Sequence, residues 1–243
     1  MGTRAKTVIV TGASQGIGAA VATLFLDHGY NVVGNSRNIT TRNQLPRAEN
    51  LVLVDGDIGQ QATAARVVEA AVKRFGTVDA LVNNAGIFLT KPFIEFTAED
   101  FRKLAATNLD GFIYVTQLAI KQMLAQKTGG SVVSITTSLT DHPIAGVKAS
   151  FPMITKGGID AASRSLAMEY APEGIRVNVV APGAVDTPLH ANTPKDFMLS
   201  LSPLHQIGSA TDIAAAVLYL TEARQVTGEV LHVDGGAHLG HWS

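Results

Sequence analysis

Three glycines in a short turn carry the clearest chemical signal in this sequence. The β-branched run that ends at Thr11 predicts a buried parallel strand, and glycines follow at positions 12, 16 and 18. A segment of helical periodicity begins immediately afterwards. A strand, a glycine turn and a helix N-terminus together present unpaired N–H groups and a positive dipole end, which favours a bound phosphate. Because the spacing differs from G-x-G-x-x-G, a tight turn that binds nothing is the alternative.

Polar residues and glycines also follow later strands of the predicted sheet. An Asn-Asn-Ala-Gly segment at 83–86 comes after the fourth apolar run. Pro182 and Gly183 break the sixth run, and Asp234 with two glycines follows the last. In an open parallel sheet, ligands bind at the carboxyl ends of the strands, near the point where the strand order reverses. We therefore expect these residues to meet at one edge of the sheet.

The elements that must position these residues alternate between strand and helix. Apolar runs predict seven strands, at 7–11, 32–35, 51–54, 79–82, 131–135, 175–180 and 229–233. Periodicity predicts long helices at about 60–75, 110–125, 150–170 and 211–220. Thr97 and Ser150 are expected to cap helices, and Thr211 to start a capped one. The alternation predicts an α/β fold, a single Rossmann-type doubly wound parallel sheet of about seven strands with helices on both faces.

Composition and charge limit the class of protein. The chain has 243 residues and a net charge of −1, with 46% apolar and 16% charged residues. These values predict one packed domain over residues 1–243 and lack the basic excess that nucleic-acid binding requires. The absence of cysteine excludes disulfides, thiolate metal sites and cysteine nucleophiles. No apolar leader or membrane-spanning stretch is evident, so a soluble, cytoplasmic protein is expected.

Together the motifs carry a resemblance that covers essentially the whole chain. They occur in order on the expected elements as TGASQGIG at 11–18, NNAG at 83–86, Asn108, Lys156, Pro182-Gly183 with Thr187, and VDGG at 233–236. The sequence resembles the short-chain dehydrogenase/reductase family. The resemblance implies an NAD(P)-binding domain that transfers a hydride between nicotinamide and a small carbonyl or alcohol substrate.

The resemblance also implies where the dinucleotide lies. Its pyrophosphate would lie over the glycine turn, with the adenine beside Asp57 and Ile58 and the nicotinamide amide against Val185 and Thr187. After the second strand, Ser36 and Arg37 stand without an acid, which favours NADP(H), because arginine pairs with a 2′-phosphate. NAD(H), with Arg37 as a solvated loop residue, is the alternative. The residues expected to contact the cofactor are Gly12, Ser14, Gln15, Gly16, Ile17, Gly18, Ser36, Arg37, Asp57, Ile58, Asn84, Ala85, Gly86, Lys156, Pro182, Gly183, Val185 and Thr187.

Members of this family use a tyrosine as acid/base four residues before a lysine, so that both side chains lie on one face of a helix. Here the lysine is Lys156, and Pro152 stands at the tyrosine position. The resemblance assigns Asn108 to a water relay, and Ser138, with Thr137 as the alternative, to orienting the substrate oxygen. Proline has no proton to donate, but it suits the first turn of a helix, so the fold is expected to persist.

The missing phenol leaves two hypotheses for function. In the first, the protein is an NADP(H)-dependent oxidoreductase whose proton comes from Lys156, from a water on the Asn108–Lys156 relay, or from His142. In the second, it is a dinucleotide-binding sensor or partner subunit that has lost catalysis. The lysine, the asparagine and the hydroxyl favour the first hypothesis, and Pro152 favours the second.

Two further segments bear on substrate and assembly. Apolar residues within 188–204 predict a lid over the pocket, with a packed surface helix as the alternative. In the tail, His238 and His241 lack a third ligand, so no metal site is expected, and Trp242 is expected to be buried. The family is usually tetrameric, which implies a homotetramer, or a dimer, with the helix of Lys156 and the preceding helix at one interface.

Overall fold

One parallel sheet of seven strands organises residues 4–240, the part of the chain that the computed structural model describes. The strand order is β3-β2-β1-β4-β5-β6-β7, and every pair of neighbours is parallel. The order therefore reverses at β1, between β2 and β4. The strands are β1 (Thr7–Thr11), β2 (Asn31–Ser36), β3 (Leu51–Asp55), β4 (Ala80–Asn83), β5 (Gly130–Ile135), β6 (Ile175–Pro182) and β7 (Val230–Val233).

Within the described residues, seven α-helices connect the strands and cover both faces of the sheet. They are α1 (Gly16–Asp27), α2 (Gln61–Phe75), α3 (Ala98–Leu104), α4 (Gly111–Gln126), α5 (Ser150–Tyr170), α6 (Lys195–Ser200) and α7 (Ala210–Glu222). A π-helical turn, Ala105–Asp110, joins α3 to α4. Over residues 4–240, no helix is both long and apolar enough to cross a bilayer.

The core consists of two apolar layers, one on each side of the sheet. Val8 and Val10 of β1 pack with α1 and α7, whereas Ile9 packs with α2 and α4. All three side chains are fully buried. Successive strand residues point to opposite faces, so a continuous apolar run is needed where helices cover both sides. The seven-stranded, doubly covered parallel sheet confirms the predicted fold class.

The start of α5 differs from the prediction that Ser150 caps it. Ser150 is already the first residue of the helix, and Ala149 precedes it without a side-chain cap. The predicted cap at Thr97 is confirmed, because Thr97 and Asp100 form a reciprocal capping box at α3. No equivalent acid is available at the start of α5, where Pro152 occupies the third position. A proline there removes an N–H group that has no partner within the helix.

The start of α7 lies earlier than predicted. The helix begins at Ala210, one residue before Thr211, and its cap is Ser209. Ser209 Oγ accepts a hydrogen bond from the N–H of Asp212 at 3.1 Å, and the carboxylate of Asp212 accepts one from the N–H of Ser209 at 2.8 Å. Serine and threonine are both good capping residues, so the acid three positions later decides which one caps the helix.

Two strands, β2 and β6, are two residues longer than predicted, and the ends of the other strands differ from the prediction by at most one residue. β2 runs from Asn31 to Ser36, because it pairs in register with β3 as far as Asp55. Pro182 does not break β6 but is its last residue, opposite Val233 of β7. Proline is tolerated at this strand end, where the pairing stops.

Candidate active site

The glycine turn after β1 lies where the strand order reverses. Gly12 (φ +66°) and Gly16 (φ +57°) have left-handed backbone conformations that favour glycine. A Cβ at Gly12 would lie 2.8 Å from Nδ2 of Asn84, and one at Gly18 would overlap the carbonyl oxygen of Gly12. Helix α1 follows with no side-chain cap and no acidic residue in its first turn. Its first N–H groups are therefore available to an anion.

Two polar side chains hold this turn against the loop after β4. Thr11 Oγ1 accepts hydrogen bonds from the N–H groups of Asn84 (3.1 Å) and Ala85 (3.0 Å). Asn84 Nδ2 in turn donates to the carbonyl oxygens of Thr11 (2.9 Å) and Gly12 (3.1 Å). The side chain of Asn84 thus supports the glycine turn. Thr11 was not predicted as a positioning residue; the available signal was a hydroxyl at the end of a strand beside the switch point.

A large cavity of about 1290 Å³ extends along the carboxyl ends of the strands. Every residue that the sequence analysis expected to contact the cofactor lines it, from the glycine turn to Thr187. Thr137 and Ser138 line it as well, but Asn108 and Pro152 do not. Residues scattered over 176 positions of the chain are therefore brought to one cavity, as expected from their places after parallel strands.

The end of the cavity beside β2 is basic. Ser36 ends β2, and the exposed Arg37 follows it along the cavity wall. Arg42, which the sequence analysis did not name, lines the same end. Asn35 borders the same end, but it is buried and its Nδ2 donates to the carbonyl oxygens of Val54 in β3 (2.9 Å) and Gly56 after it (3.2 Å). Two guanidinium groups thus stand where a single one was predicted.

Lys156 lines the other part of the cavity, from the first turns of α5. It is only 8% exposed, and its Nζ donates a 2.7 Å hydrogen bond to the carbonyl oxygen of Ile135 at the end of β5. A Cβ at Gly86 would lie 3.1 Å from this Nζ, so the loop after β4 passes close to the amine. Burial lowers the pKa of Lys156 to about 8, because the ammonium form loses its hydration.

Asn108 lies behind the cavity in the π-helical turn and is almost completely buried. Its Oδ1 accepts from the N–H of Ile87 at 2.9 Å. Its Nδ2 donates to the carbonyl oxygen of Ile87 (3.1 Å) and to Thr155 Oγ1 (3.0 Å). The Thr155 hydroxyl donates to the carbonyl oxygen of Pro152 at 2.9 Å. The amide of Asn108 therefore joins the loop after β4 to the first turn of α5.

Two hydroxyl residues follow β5 at the cavity, and they differ in environment. Ser138 is buried, whereas Thr137 is half-buried and its Oγ1 accepts from the N–H of Leu139 at 3.4 Å. Of the two hydroxyls, that of Ser138 is thus the more available for a hydrogen bond to a substrate. His142 is exposed and does not line the cavity. The structure therefore does not bring His142 to the place where the sequence analysis considered it as an acid.

The segment after β6 covers one side of the cavity. Leu189, Phe197, Met198 and Leu201 all line it, and the function of this segment as a lid stays a prediction. In the tail, His238 forms a hydrogen bond with Asp234, whereas the predictions for His241 and Trp242 fall outside the described residues. Among residues 4–240, no group of three or more potential ligands is arranged to hold a metal ion.

The sequence matches known oxidoreductases over nearly its whole length. A family model described as "Enoyl-(Acyl carrier protein) reductase" matches residues 12–238. The chain belongs to the short-chain dehydrogenase/reductase family. Within this family, an L-rhamnose 1-dehydrogenase (NAD(P)(+)) of Azotobacter vinelandii is 36% identical over 247 residues, which cover 95% of this chain and 96% of the relative.

Solved structures of short-chain dehydrogenases/reductases have the same fold. A 3-ketoacyl-(acyl-carrier-protein) reductase of Brucella melitensis, complexed with NADH, matches with a TM-score of 0.90 and 28% identity, covering 97% of this chain and 99% of that chain. ElxO with NADP bound matches with a TM-score of 0.85 and 29% identity over the same shares of both chains. The family resemblance predicted from the motifs is confirmed.

Proposed function

We infer that this chain is an NADP(H)-dependent oxidoreductase that transfers a hydride between nicotinamide and a small carbonyl or alcohol substrate. The observation that carries the inference is the placement of Lys156, a buried amine of lowered pKa that lines a large cavity at the switch point of the sheet. A buried amine destabilises a fold, and its presence in a cleft therefore supports a functional role. The oxidoreductases among the relatives support the same reaction class.

The glycine turn and the basic end of the cavity fit a phosphorylated dinucleotide. The uncapped first turn of α1 offers N–H groups to a pyrophosphate, and the close approach at Gly12 and Gly18 leaves room only for backbone. Arg37 and Arg42 suit the additional phosphate of NADP(H). A relative binds NADP and another binds NADH, so the preference rests on these two arginines.

The proton is supplied by Lys156 in this proposal. Pro152 stands where the family carries its tyrosine, and it has neither an N–H nor a side-chain donor. When bound, the reduced nicotinamide supplies a hydride to the substrate carbon. The ammonium of Lys156 donates a proton to the substrate oxygen, which becomes a hydroxyl, and the amine is left neutral. Ser138 orients the same oxygen with its hydroxyl.

The other proton donors considered from the sequence have weaker support. The side chain of Asn108 is already occupied by Ile87 and Thr155, so a water on this relay would have to bind another group. His142 lies outside the cavity. Lys156 is therefore the donor that we propose.

A second candidate function is a dinucleotide-binding sensor or partner subunit. The observation that favours it is Pro152, which is buried against the amide network of Asn108 and offers no acid. The two functions differ in turnover, not in cofactor affinity. We would measure NADPH oxidation with a panel of aldehydes, ketones and diketones, alongside NADPH binding by calorimetry.

The expected result is slow turnover of reactive carbonyls that Lys156→Arg abolishes, because arginine keeps the charge but does not release its proton near neutrality. Tight NADPH binding without turnover of any substrate would support the sensor instead. Absence of binding to either dinucleotide would refute both functions.

The proposal also includes the oligomeric assembly and the number of domains. A cleft of about 390 Å³ runs between α4 and α5, with Ile113 and Leu124 at 40% and 37% exposure along it. Its apolar lining suits a second copy of this chain, as expected for the homotetramer or dimer implied by the family. We also infer that residues 1–243 fold as a single domain, and the cytoplasmic location stays a prediction.

A further inference from the structure

A second charged side chain is buried one helical turn beyond Lys156. Asp160 of α5 is 4% exposed, and neither of its carboxyl oxygens has a hydrogen-bond partner within residues 4–240. The hydroxyls of Thr136 and Thr140 face the carboxylate, and Thr136 Oγ1 likewise lacks a partner with hydrogen-bond geometry. Buried carboxylates are normally paired, so this group requires an explanation.

Charged groups from several elements face Asp160. On α5 itself, Lys156 and Arg164 lie one turn before and one turn after it. The loop after β5 brings Asp141, whose Oδ2 lies 2.9 Å from Nε2 of His232 on β7. Burial raises the pKa of Asp160, and the repulsion from Asp141 acts in the same direction. The hydroxyls and Arg164 act in the opposite direction and favour the ionised form.

The two buried groups on α5, the ammonium of Lys156 and the carboxylate of Asp160, carry opposite charges that can stabilise each other. The ammonium of Lys156 has lost its hydration, and the Ile135 carbonyl is a neutral partner. The carboxylate at i+4 on the same helix face is the charge that opposes this loss. In a site of low dielectric constant, such an attraction is stronger than at the surface.

We propose that Asp160 is a positioning residue that keeps Lys156 protonated, so that its ammonium can serve as the proton donor at neutral pH. This inference rests on the proposed function for its consequence in catalysis. Asp160 does not line the cavity, and it acts on the substrate only through Lys156. If a tyrosine stood at position 152, the effect of Asp160 on Lys156 would be less important, because the phenol and not the lysine would be the proton donor.

The direct test is a titration of Lys156 in the protein without cofactor. The ε-carbon of 13C-labelled lysine is followed by NMR, and the resonance of Lys156 is assigned by its loss in Lys156→Met. In Asp160→Asn we expect the pKa of Lys156 to fall from about 8 by about one unit or more, because an opposite charge is removed. An unchanged pKa would overturn the proposal.

The matched control is Ser163→Ala on the same helix. Ser163 is also buried and its Oγ also lacks a partner, but it carries no charge. This variant changes a buried polar group of α5 without changing the field at Lys156. Its lysine titration should match that of the unmodified protein, and a shift equal to that of Asp160→Asn would show that the effect is structural.

The second readout is the pH profile of carbonyl reduction. In Asp160→Asn, the limb on which activity falls with rising pH should move to lower pH, with about a fivefold loss at pH 8 and little loss at pH 6. An equal loss at every pH would contradict the proposal. If no variant has turnover, the proposed function fails, and the lysine titration still decides the role of Asp160.

A measurement on the unmodified protein covers the case in which Asp160→Asn does not fold. The 13C resonance of the Asp160 carboxyl should show ionisation below neutral pH and a second, smaller change when Lys156 loses its proton near pH 8. A carboxyl that stays protonated through pH 8 would overturn the proposal, because a neutral acid does not retain the ammonium.

Discussion

Lys156 combines a thermodynamic cost with the chemical role that we propose for it. Its amine is buried, and the loss of hydration favours the neutral form. A pKa of about 8 places proton release within reach of neutral pH, which an ordinary lysine does not achieve. Whether the protein is an enzyme therefore depends on whether a side chain in the cavity can donate a proton.

The pH dependence of reduction follows from this pKa. A proton donor must be protonated, so the reductive kcat/KM is expected to be constant below about pH 7 and to fall tenfold per pH unit well above 8. In the oxidative direction Lys156 must accept a proton, and the rate should rise with pH instead. Steady-state rates between pH 6 and 10 measure both limbs. A falling limb near pH 6 in both directions would point to another group.

Pro152→Tyr tests whether the cavity retains the family's chemistry. Pro152 lies in the first turn of α5, four residues before Lys156, so a phenol there would share the lysine's helix face. We expect an increase in turnover of about 10²–10⁴, the usual contribution of a positioned acid. The matched control is Pro152→Phe, which adds the ring without the hydroxyl and should give no gain. Equal rates for the two variants would exclude the phenol as a usable donor.

Arg37→Glu tests the cofactor preference. Replacing a guanidinium beside a 2′-phosphate by a carboxylate should weaken NADPH binding by about tenfold to a hundredfold and leave NADH binding nearly unchanged. Calorimetric titration with both dinucleotides measures the difference. Arg102→Glu, an exposed exchange of the same charges away from the cavity, should change neither affinity. Equal losses for NADPH and NADH in Arg37→Glu would contradict the NADP(H) assignment.

The helix starts show how a local contact sets the boundary of an element. At α7, Ser209 and Asp212 exchange hydrogen bonds between side chain and backbone, whereas Thr211 lies inside the helix. Ser209→Ala is therefore expected to lower the free energy of unfolding by about 1 kcal/mol. Thr211→Ala should cost less, because Thr211 lies inside the helix and contacts only the capping hydroxyl of Ser209, at 2.7 Å. Urea unfolding followed by circular dichroism compares the two variants, and a larger loss in Thr211→Ala than in Ser209→Ala would contradict the cap at Ser209.

Over the whole molecule, the cleft between α4 and α5 concerns assembly. Its apolar lining and partly exposed rim suit contact with a second copy. Ile113→Glu and Leu124→Glu together should reduce the assembly mass measured by light scattering, because both carboxylates would be buried at the interface. Lys73→Glu on α2 adds a negative charge away from the cleft and should leave the mass unchanged. A monomer before any substitution would refute the interface.

The fold class, the family and most of the residues expected to bind the cofactor could be predicted from the amino-acid sequence alone. Parallel strands are buried on both faces, so they appear as continuous apolar runs, and their carboxyl ends gather whatever follows them. This is why Gly12, Arg37, Gly86 and Thr187 could be assigned to one cavity before their distances were known. Pro152 could also be recognised in the sequence, because its spacing of four residues from Lys156 is a local property of one helix.

The groups that surround each of these side chains became known only from the three-dimensional structure. It occupies the Asn108 amide with Ile87 and Thr155, and it leaves His142 outside the cavity. It also buries Asp160, a residue that appears in the sequence as an ordinary polar position of a helix. Burial, hydrogen-bond partners and pKa depend on contacts between segments far apart in the chain, and no local pattern encodes those contacts.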